Sequence, residues 1–240
     1  RGCSMIRRSF VRALALASLL VFALSASAVA ATKVNVRVEG AKATLFEGNV
    51  AVSAGKLTSN TGEDRSSHLC NVAANGGSGP PAATPTRALQ AASENALGDR
   101  LAPLSFEWYA SFSDFLIGSI GGEAPTGDNY WELSINWKVA ELGGCAVALK
   151  KGDKVLWAVS DGTSPALRLD APRVARKGRP FKVRVTSGAT GKAVAGARVG
   201  GAMTAANGIA RLTLKSGSKR ALGATKRGAI RSNIESVVLR

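Results

Sequence analysis

The pattern of apolar and polar positions divides the chain into strand-forming segments and one helix. Val34 to Glu39 alternates apolar and polar residues, which predicts a half-buried strand ending at Gly40. A second strand is predicted over Ala43 to Val52. The segment 55–83 has no periodicity and is rich in Gly, Ser, Asn and Pro, so it is predicted to be a long loop.

A helix is predicted directly after this loop. Thr84 supplies an N-cap, Pro85 suits the first helical position, and apolar residues recur from Ala88 to Leu97 before Gly98. Short aromatic-rich runs separated by Gly and Asn turns follow, which predicts an α+β unit with a mixed or antiparallel sheet. These runs cover 104–109, 112–120, 130–137, 145–149 and 154–159.

The last third of the chain contains only strand and turn patterns. Phe181 to Val185 and Ile209 to Leu214 alternate, and Asn207-Gly208 is a hairpin turn signal. About seven short strands without a helix predict an all-β sandwich of immunoglobulin-like type.

The first 31 residues have the features of a cleaved secretory signal peptide. A basic region precedes the apolar run Ala13 to Leu24, and small residues follow through Ala31, with cleavage expected after Ala30. Residues 1–4 precede Met5 and are candidates for sequence upstream of the true start. A retained transmembrane anchor is the alternative, although the run is short for a bilayer span. The remaining chain is therefore expected to be secreted, with association to the cell envelope left open.

Export leaves Cys70 and Cys145 as the two remaining cysteines. An even pair in an oxidising compartment predicts a disulfide, and two free buried thiols are the alternative.

The charge of the chain is uneven. The 240 residues carry 32 basic and 16 acidic side chains, a formal net charge of +16. Residues 33–163 hold 11 basic and 14 acidic side chains, whereas residues 164–240 hold 17 basic and 2 acidic ones. Turn residues around Asp161 to Pro165 separate these halves. We therefore predict two domains, 32–163 and 164–240.

The single histidine restricts the chemistry that is available. Ser-His-Asp and Cys-His catalysis and most zinc sites would all need His68. Asp64, Ser66 and Cys70 lie nearby, but their spacing matches no closed metal set, and a disulfide would consume the thiolate. The sequence therefore predicts a non-enzymatic protein with no catalytic residue and no metal site.

Basic side chains cluster near both ends of residues 164–240. On alternating strands they would converge into a positive surface, for which an anionic cell wall or membrane, meaning phosphate-rich polymer or acidic lipid, is the expected partner. A solubilising coat is the alternative, and nucleic acid is disfavoured because no aromatic-interleaved basic motif occurs. The expected surface consists of Arg173, Arg176, Lys177, Arg179, Lys215, Lys219, Arg220, Lys226, Arg227 and Arg231.

Three segments of the first domain carry a family resemblance. Asn129 to Leu133, Gly143-Gly144-Cys145 and Leu149 to Trp157 resemble the transcobalamin-like C-terminal domain family (DUF4430) over most of the first domain. The resemblance implies a β-grasp-like sheet with one packed helix, and a corrinoid as a candidate ligand; no other cofactor is expected. The family's Asn-Gly turn after the Tyr-Trp strand is replaced here by Asn136-Trp137.

The second domain also carries a resemblance. Ala193 to Val199 followed by Thr204 to Ala210 is similar to carboxypeptidase-regulatory and bacterial immunoglobulin-like modules. This resemblance implies a structural or adhesive role without an active site.

Aromatic residues of the first domain are the candidate ligand contacts. Tyr130 and Trp131 are adjacent, so in a strand they point to opposite faces. Together with Trp108 and Trp137 they are candidates for a ligand platform, and packing in the core is the alternative. The leading hypothesis is a secreted binding protein of a bacterial envelope that docks through its basic domain. The alternative hypothesis is a carrier of a small ligand such as a corrinoid.

Overall fold

The computed structural model describes residues 31–95 and 101–240, in which β-strand is the main regular structure. The predicted signal peptide falls almost entirely on residues 1–30, and the predicted end of the helix falls on residues 96–100, so both lie outside the described residues. Within the described part of the chain, no helix is long and apolar enough to cross a membrane.

Nine strands, one α-helix and one short 3-10 helix (Ala73–Asn75) occur among the described residues before position 161. The helix α1, Pro85–Asn95, begins where it was predicted. The strands are β1 (Thr32–Glu39), β2 (Thr44–Val52), β3 (Gly55–Thr58), β4 (Ser67–Cys70), β5 (Ser105–Tyr109), β6 (Asp114–Ser119), β7 (Tyr130–Ile135), β8 (Lys138–Val139) and β9 (Lys154–Ser160).

A five-stranded mixed sheet organises these elements, in the order β2-β1-β9-β7-β8. The central pair β1 and β9 is parallel, and the other neighbours are antiparallel. Helix α1 packs against β2 and β1, and its buried residues Ala88, Leu89 and Ala92 join the hydrophobic core on this face of the sheet. The pairs β3–β4 and β5–β6 are separate hairpins that complete this core.

The opposite face of the sheet is also covered. Leu156 and Ala158 on β9 pack against Ile230 from the last third of the chain. Arg37 and Glu39 on β1 point to this face and are only 3% and 1% exposed. The predicted half-buried pattern of the first strand therefore holds from Lys33 to Val36 but is wrong at Arg37 and Glu39, because a distant segment covers these polar positions.

Residues 164–240 contain only strands and turns, as predicted. They form three three-stranded sheets, in the orders β10-β12-β15, β11-β18-β16 and β14-β13-β17, around a second hydrophobic core. The strands are β10 (Leu167–Asp170), β11 (Val174–Ala175), β12 (Pro180–Ser187), β13 (Arg198–Val199), β14 (Ala202–Met203), β15 (Ile209–Thr213), β16 (Lys219–Leu222), β17 (Ala224–Thr225) and β18 (Glu235–Leu239).

Two local predictions are corrected. The segment 55–83 contains the β3–β4 hairpin, whose short strands have too few residues to show a period. Residues 145–149 form turns rather than a strand. The backbone N–H of Cys145 donates to the carboxylate of Asp114, and its carbonyl accepts from Val72, so no neighbouring strand is available to pair with it.

The predicted disulfide between Cys70 and Cys145 is confirmed. It joins the end of β4 to the loop before β9 across 75 positions of sequence, with the two Cα atoms 4.7 Å apart. Both cysteines have no exposed surface. The bridge therefore fixes the otherwise irregular segment after β2 onto the first core.

Candidate binding sites

A buried ion-pair network joins the last third of the chain to the central sheet. Arg231 Nε donates to Glu39 Oε2 at 2.7 Å, and Arg37 Nη1 lies 3.7 Å from Glu39 Oε1 and donates to the Arg231 carbonyl at 2.8 Å. The Thr44 hydroxyl also donates to Glu39. Burial raises the pKa of Glu39, an effect that Arg37, Arg231 and Thr44 oppose. Arg231 is thus engaged at this junction, apart from the other basic residues of its predicted surface.

Segments that carry basic residues lie side by side at the opposite end of residues 164–240. Lys177 N–H donates to the Arg240 carbonyl, Gly178 N–H to the Leu214 carbonyl, and Leu239 N–H to the Ser218 carbonyl. These bonds bring the turn after β11, the turn after β15 and the end of β18 together. We call the resulting cluster the basic end; it consists of Arg176, Lys177, Arg179, Lys215, Lys219 and Arg240.

No acidic side chain of the described residues neutralises the positive charges of the basic end. All six of its side chains are exposed, and none makes a hydrogen bond or ion pair with any described residue. Five of them were predicted from the sequence. Arg240 was missed, because its place beside Lys177 depends on the parallel pairing of β11 with β18.

The other predicted basic residues divide into two groups. Arg220 on β16 is opposite Val237, and Arg173 precedes β11, so these two flank β18. Lys226 and Arg227 lie in the turn after β17, near the junction with the central sheet, and Lys226 Nζ donates to the Ala195 carbonyl. Arg173 and Arg220 thus lie on the same sheet as the basic end, whereas Lys226, Arg227 and Arg231 lie toward the junction.

Strand alternation adds further exposed basic residues that the sequence analysis did not select. Lys182 on β12 is directly opposite Arg211 on β15, and Arg184 is opposite Asp170. Like charges directly opposite each other destabilise a sheet. The alternating run from Phe181 to Val185 contained this signal, since its polar positions are all basic.

The four candidate aromatic contacts do not form one platform. Trp131 is 6% exposed in the first core, whereas Tyr130 is 48% exposed on the other side of β7. The Trp108 ring stacks on His68 with 4.0 Å between centroids, and its other neighbour is the edge of Phe115. Trp137 lies apart from these residues at the junction. Core packing thus accounts for Trp131, and each of the others has a different environment.

An apolar groove of about 320 Å³ lies beside the β5–β6 hairpin. Tyr109, Phe112 and Leu116 line it, and Phe112 is 75% exposed. A neighbouring depression of about 210 Å³ shares Phe115 and Leu116 and reaches Trp131 and Trp157. The indole N–H groups of both tryptophans are buried and have no hydrogen-bond partner among the described residues.

A polar cleft of about 290 Å³ lies at the junction between the central sheet and β18. Most of its lining residues carry polar or charged side chains, and Trp137 forms one wall. The Arg37 guanidinium is 5.0 Å and Lys154 Nζ is 5.9 Å from the centre of the Trp137 ring. The polar lining side chains are Asn35, Arg37, Glu47, Asn49, Lys154, Asn233 and Glu235.

Trp137 is held in the cleft by an unusual turn. Asn136 and Trp137 have φ values of 51° and 73°, so the turn between β7 and β8 keeps the positive φ values for which Asn-Gly is preferred. The Asn136 side chain donates to Asp153 and accepts from the Lys154 N–H, which fixes the turn against β9. A methyl group at Gly188 would collide with the indole ring, so the ring is closely packed on that side.

The cluster around His68 is not a catalytic triad. Ser66 Oγ and Asp64 Oδ2 lie 2.9 Å and 2.8 Å from the same ring atom, His68 Nε2. A triad needs the base to meet the nucleophile with one nitrogen and the carboxylate with the other. Hydrogen bonds from Ser66 lower the pKa of the exposed Asp64. The arrangement therefore stabilises a loop turn beside Trp108.

No group of three or more His, Cys, Asp or Glu side chains that could hold a metal ion occurs in the described ranges. Comparison of the sequence with protein-family models and with curated proteins finds no match.

Proposed function

We propose that this chain is an exported, non-enzymatic binding protein of a bacterial cell envelope that docks on a polyanionic surface. The observation that carries the proposal is the basic end, where neighbouring segments present six exposed cationic side chains and no acidic residue of their own. Concentrated charge of one sign raises the local concentration of an oppositely charged partner.

The uneven charge is better explained by binding of a polyanion than by a coat that only keeps the protein soluble. A surface that serves only solubility interleaves both signs, because like charges close together repel. Residues 164–240 carry 17 basic and 2 acidic side chains, and one of those acids, Asp170, already pairs with Arg168 at 3.5 Å. Lys182 opposite Arg211 adds repulsion within the sheet. A polyanion would relieve this repulsion.

Phosphate is the chemistry that best suits such a surface. Guanidinium and ammonium groups both bind phosphate oxygens, and each Lys or Arg near an anionic membrane contributes roughly 1 kcal/mol. The six side chains of the basic end therefore supply enough attraction for reversible docking on acidic lipid or phosphate-rich wall polymer.

The disulfide and the N-terminal pattern support export. Cys70 and Cys145 form a buried bridge, and such bridges persist mainly in oxidising compartments. The proposal also includes a β-grasp-like first domain and an immunoglobulin-like second domain. The sheet order β2-β1-β9-β7-β8 with a parallel central pair and one packed helix supports the first of these assignments.

The test compares two variants of equal net charge. Arg176→Gln/Lys177→Gln/Lys215→Gln removes three charges from the basic end, and Lys33→Gln/Lys42→Gln/Lys151→Gln removes three exposed charges from the first part of the chain. Cosedimentation of the exported protein with phosphatidylglycerol vesicles and with isolated wall polymer measures affinity at low and high salt.

We expect the basic-end variant to bind about 100-fold more weakly, since three contacts of roughly 1 kcal/mol are lost, and the matched variant to change less than threefold. Binding of the wild type should also weaken as salt rises. Equal losses in both variants, or binding that ignores salt, would contradict the proposal.

A second function, carriage of a small ligand such as a corrinoid, is favoured by the apolar groove. Phe112 and Leu116 are exposed apolar side chains, Leu116 also lines the depression that reaches the two unpartnered indole donors, and exposed apolar clusters often mark ligand sites. An open groove of about 320 Å³ would contact only one face of a corrin ring. Titration with cobalamins, followed by tryptophan fluorescence, tests this second function. Phe112→Ser should abolish any saturable quenching.

A further inference from the structure

We propose that the junction cleft binds a neutral hydroxylated molecule, a saccharide of one or two rings. The site is independent of the basic end and of the apolar groove. Its volume of about 290 Å³ lies at the lower end of the range of small-molecule sites, roughly 300–1,000 Å³, which suits a ligand of this size.

The charges that line the cleft select a neutral ligand. Arg37 and Lys154 contribute two positive charges, and Glu47 and Glu235 contribute two negative ones. A charged ligand of either sign would be attracted by one of these pairs and repelled by the other. A ligand without charge avoids this repulsion and still has strong hydrogen-bonding groups around it.

The hydrogen-bonding groups left over in the cleft include both donors and acceptors. Arg37 Nη2 is buried without a partner in the described part of the chain. Asn35 Nδ2 donates to Asn49 Oδ1, which leaves one amide oxygen and one amide N–H₂ group for a ligand. Glu47 Oε2 accepts from the Ile234 N–H, which leaves its second oxygen. Hydroxyl groups donate and accept at once, so a polyol matches this mixture.

The buried Arg37 donor is the strongest single indication of a ligand. Arg37 is 3% exposed and lines the cleft, and a buried polar group without a partner is uncommon and costly. Its Nη1 already donates to the Arg231 carbonyl. Nη2 itself has almost no accessible surface, so a ligand oxygen in the cleft would supply the acceptor that Nη2 lacks after a small shift of the Arg37 side chain.

The backbone at Trp137 is a second, independent indication. A tryptophan at φ 73° is strained, and such strain persists mainly at functional positions where the surroundings hold it in place. Glycine would be the favourable residue at this turn position, yet the chain places a large indole there and makes room for it at Gly188. The indole supplies the apolar wall against which the C–H groups of a sugar ring would pack.

The test uses glucose, N-acetylglucosamine, cellobiose and chitobiose as neutral probes, with glucuronic acid and glucosamine as charged probes of similar size. Isothermal calorimetry on the full exported chain measures binding. The variants are Trp137→Gly, which removes the wall and restores the favoured Asn-Gly turn, and Asn49→Ala on the exposed side of β2. Tyr130→Ala, outside the cleft, is the control.

We expect at least one neutral probe to bind with a dissociation constant below about 10 mM, and the charged probes to bind at least tenfold more weakly. Trp137→Gly should abolish binding while the protein remains folded by circular dichroism, Asn49→Ala should weaken it about tenfold, and Tyr130→Ala should change it less than twofold. The proposal is overturned if no neutral probe binds, if a charged probe binds more tightly, or if both cleft variants keep wild-type affinity.

Discussion

Removal of the disulfide tests how the first part of the chain is stabilised. Cys70→Ala with Cys145→Ala opens a loop closed over 75 positions. In the chain-entropy description a loop of this length stabilises the folded state by about 4.5 kcal/mol at 25 °C, because the bridge restricts the unfolded chain. This is a large part of the 5–15 kcal/mol by which a typical domain is stable.

Removal of the disulfide would also lower stability by weakening contacts in the folded state. Cys70 ends β4 and Cys145 lies beside Asp114, so without the bridge only the Val72 N–H to Cys145 carbonyl bond and local packing hold the β3–β4 hairpin against the loop before β9. Both sulfur atoms are buried, and replacing them with alanine also removes core contacts. The measured loss is therefore expected to equal or exceed the entropic value.

Urea unfolding followed by tryptophan fluorescence measures this loss cleanly. All four tryptophans belong to the segment 108–157, and three of them, Trp108, Trp131 and Trp157, pack in the first core, so the signal reports mainly on the first part of the chain; Trp137 also contacts Gly188 at the junction. The reduced wild-type protein keeps both sulfur atoms and separates loop entropy from lost packing. If the double variant and the reduced wild type both lie within about 1 kcal/mol of the oxidised protein, the reasoning is refuted.

Two further predictions concern buried charges. Burial raises the pKa of Glu132 above its value of about 4.3 in the unfolded chain. The folded protein therefore binds this proton more tightly, and Glu132 stabilises the fold at pH values below about 4.3. This stabilisation is lost as the pH rises through the folded-state pKa. Glu132→Gln keeps an acceptor for the Ser160 hydroxyl and should stabilise by about 1 kcal/mol at pH 7 but not at pH 3, measured by urea unfolding at both values; an equal effect at both pH values would contradict this. Arg231→Ala should destabilise by roughly 3 kcal/mol, because it leaves the Glu39 carboxylate buried with one cation 3.7 Å away. Glu39→Gln with Arg231→Met should recover part of that loss in the same assay, and no recovery would count against the ion pair.

Local signals predicted the elements that depend on neighbouring residues. Thr84-Pro85 placed the start of α1, because a proline at the first helical position loses no hydrogen bond. The alternation in Phe181 to Val185 placed β12, and the even pair of cysteines predicted the bridge. Each of these depends on propensity, spacing or compartment, which a single sequence carries.

Burial by distant segments could not be predicted. Arg37 and Glu39 occupy the polar positions of an alternating strand, which normally face solvent. They are buried because residues near Ile230 return to this face almost 200 positions later. The junction cleft was missed for the same reason, since it exists only where β1, β9 and β18 meet. Neither Asn35 nor Asn49 carries any local sign of a ligand site.

The sequence also could not show which of two adjacent aromatic residues is buried. The period of a strand requires Tyr130 and Trp131 to face opposite sides, but it does not say which side is the core. The structure places Trp131 inward, where it meets the apolar face made by β1, β9 and α1. At Asn136-Trp137 the glycine of the Asn-Gly turn is absent, yet contacts from Asn136 to Asp153 and Lys154 preserve the same positive φ values.

The two proposed sites lie at opposite ends of one strand, which bears on how they would work together. Glu235 begins β18 at the cleft, and Arg240 follows its end at the basic end. Five residues of strand span about 16 Å, which is twice the roughly 8 Å Debye length at physiological salt. The field of the basic end is therefore largely screened at the cleft, so the neutral selectivity of the cleft does not conflict with the charge beside it. A protein docked through its basic end would hold the cleft away from the anionic surface, and the two binding free energies should be additive.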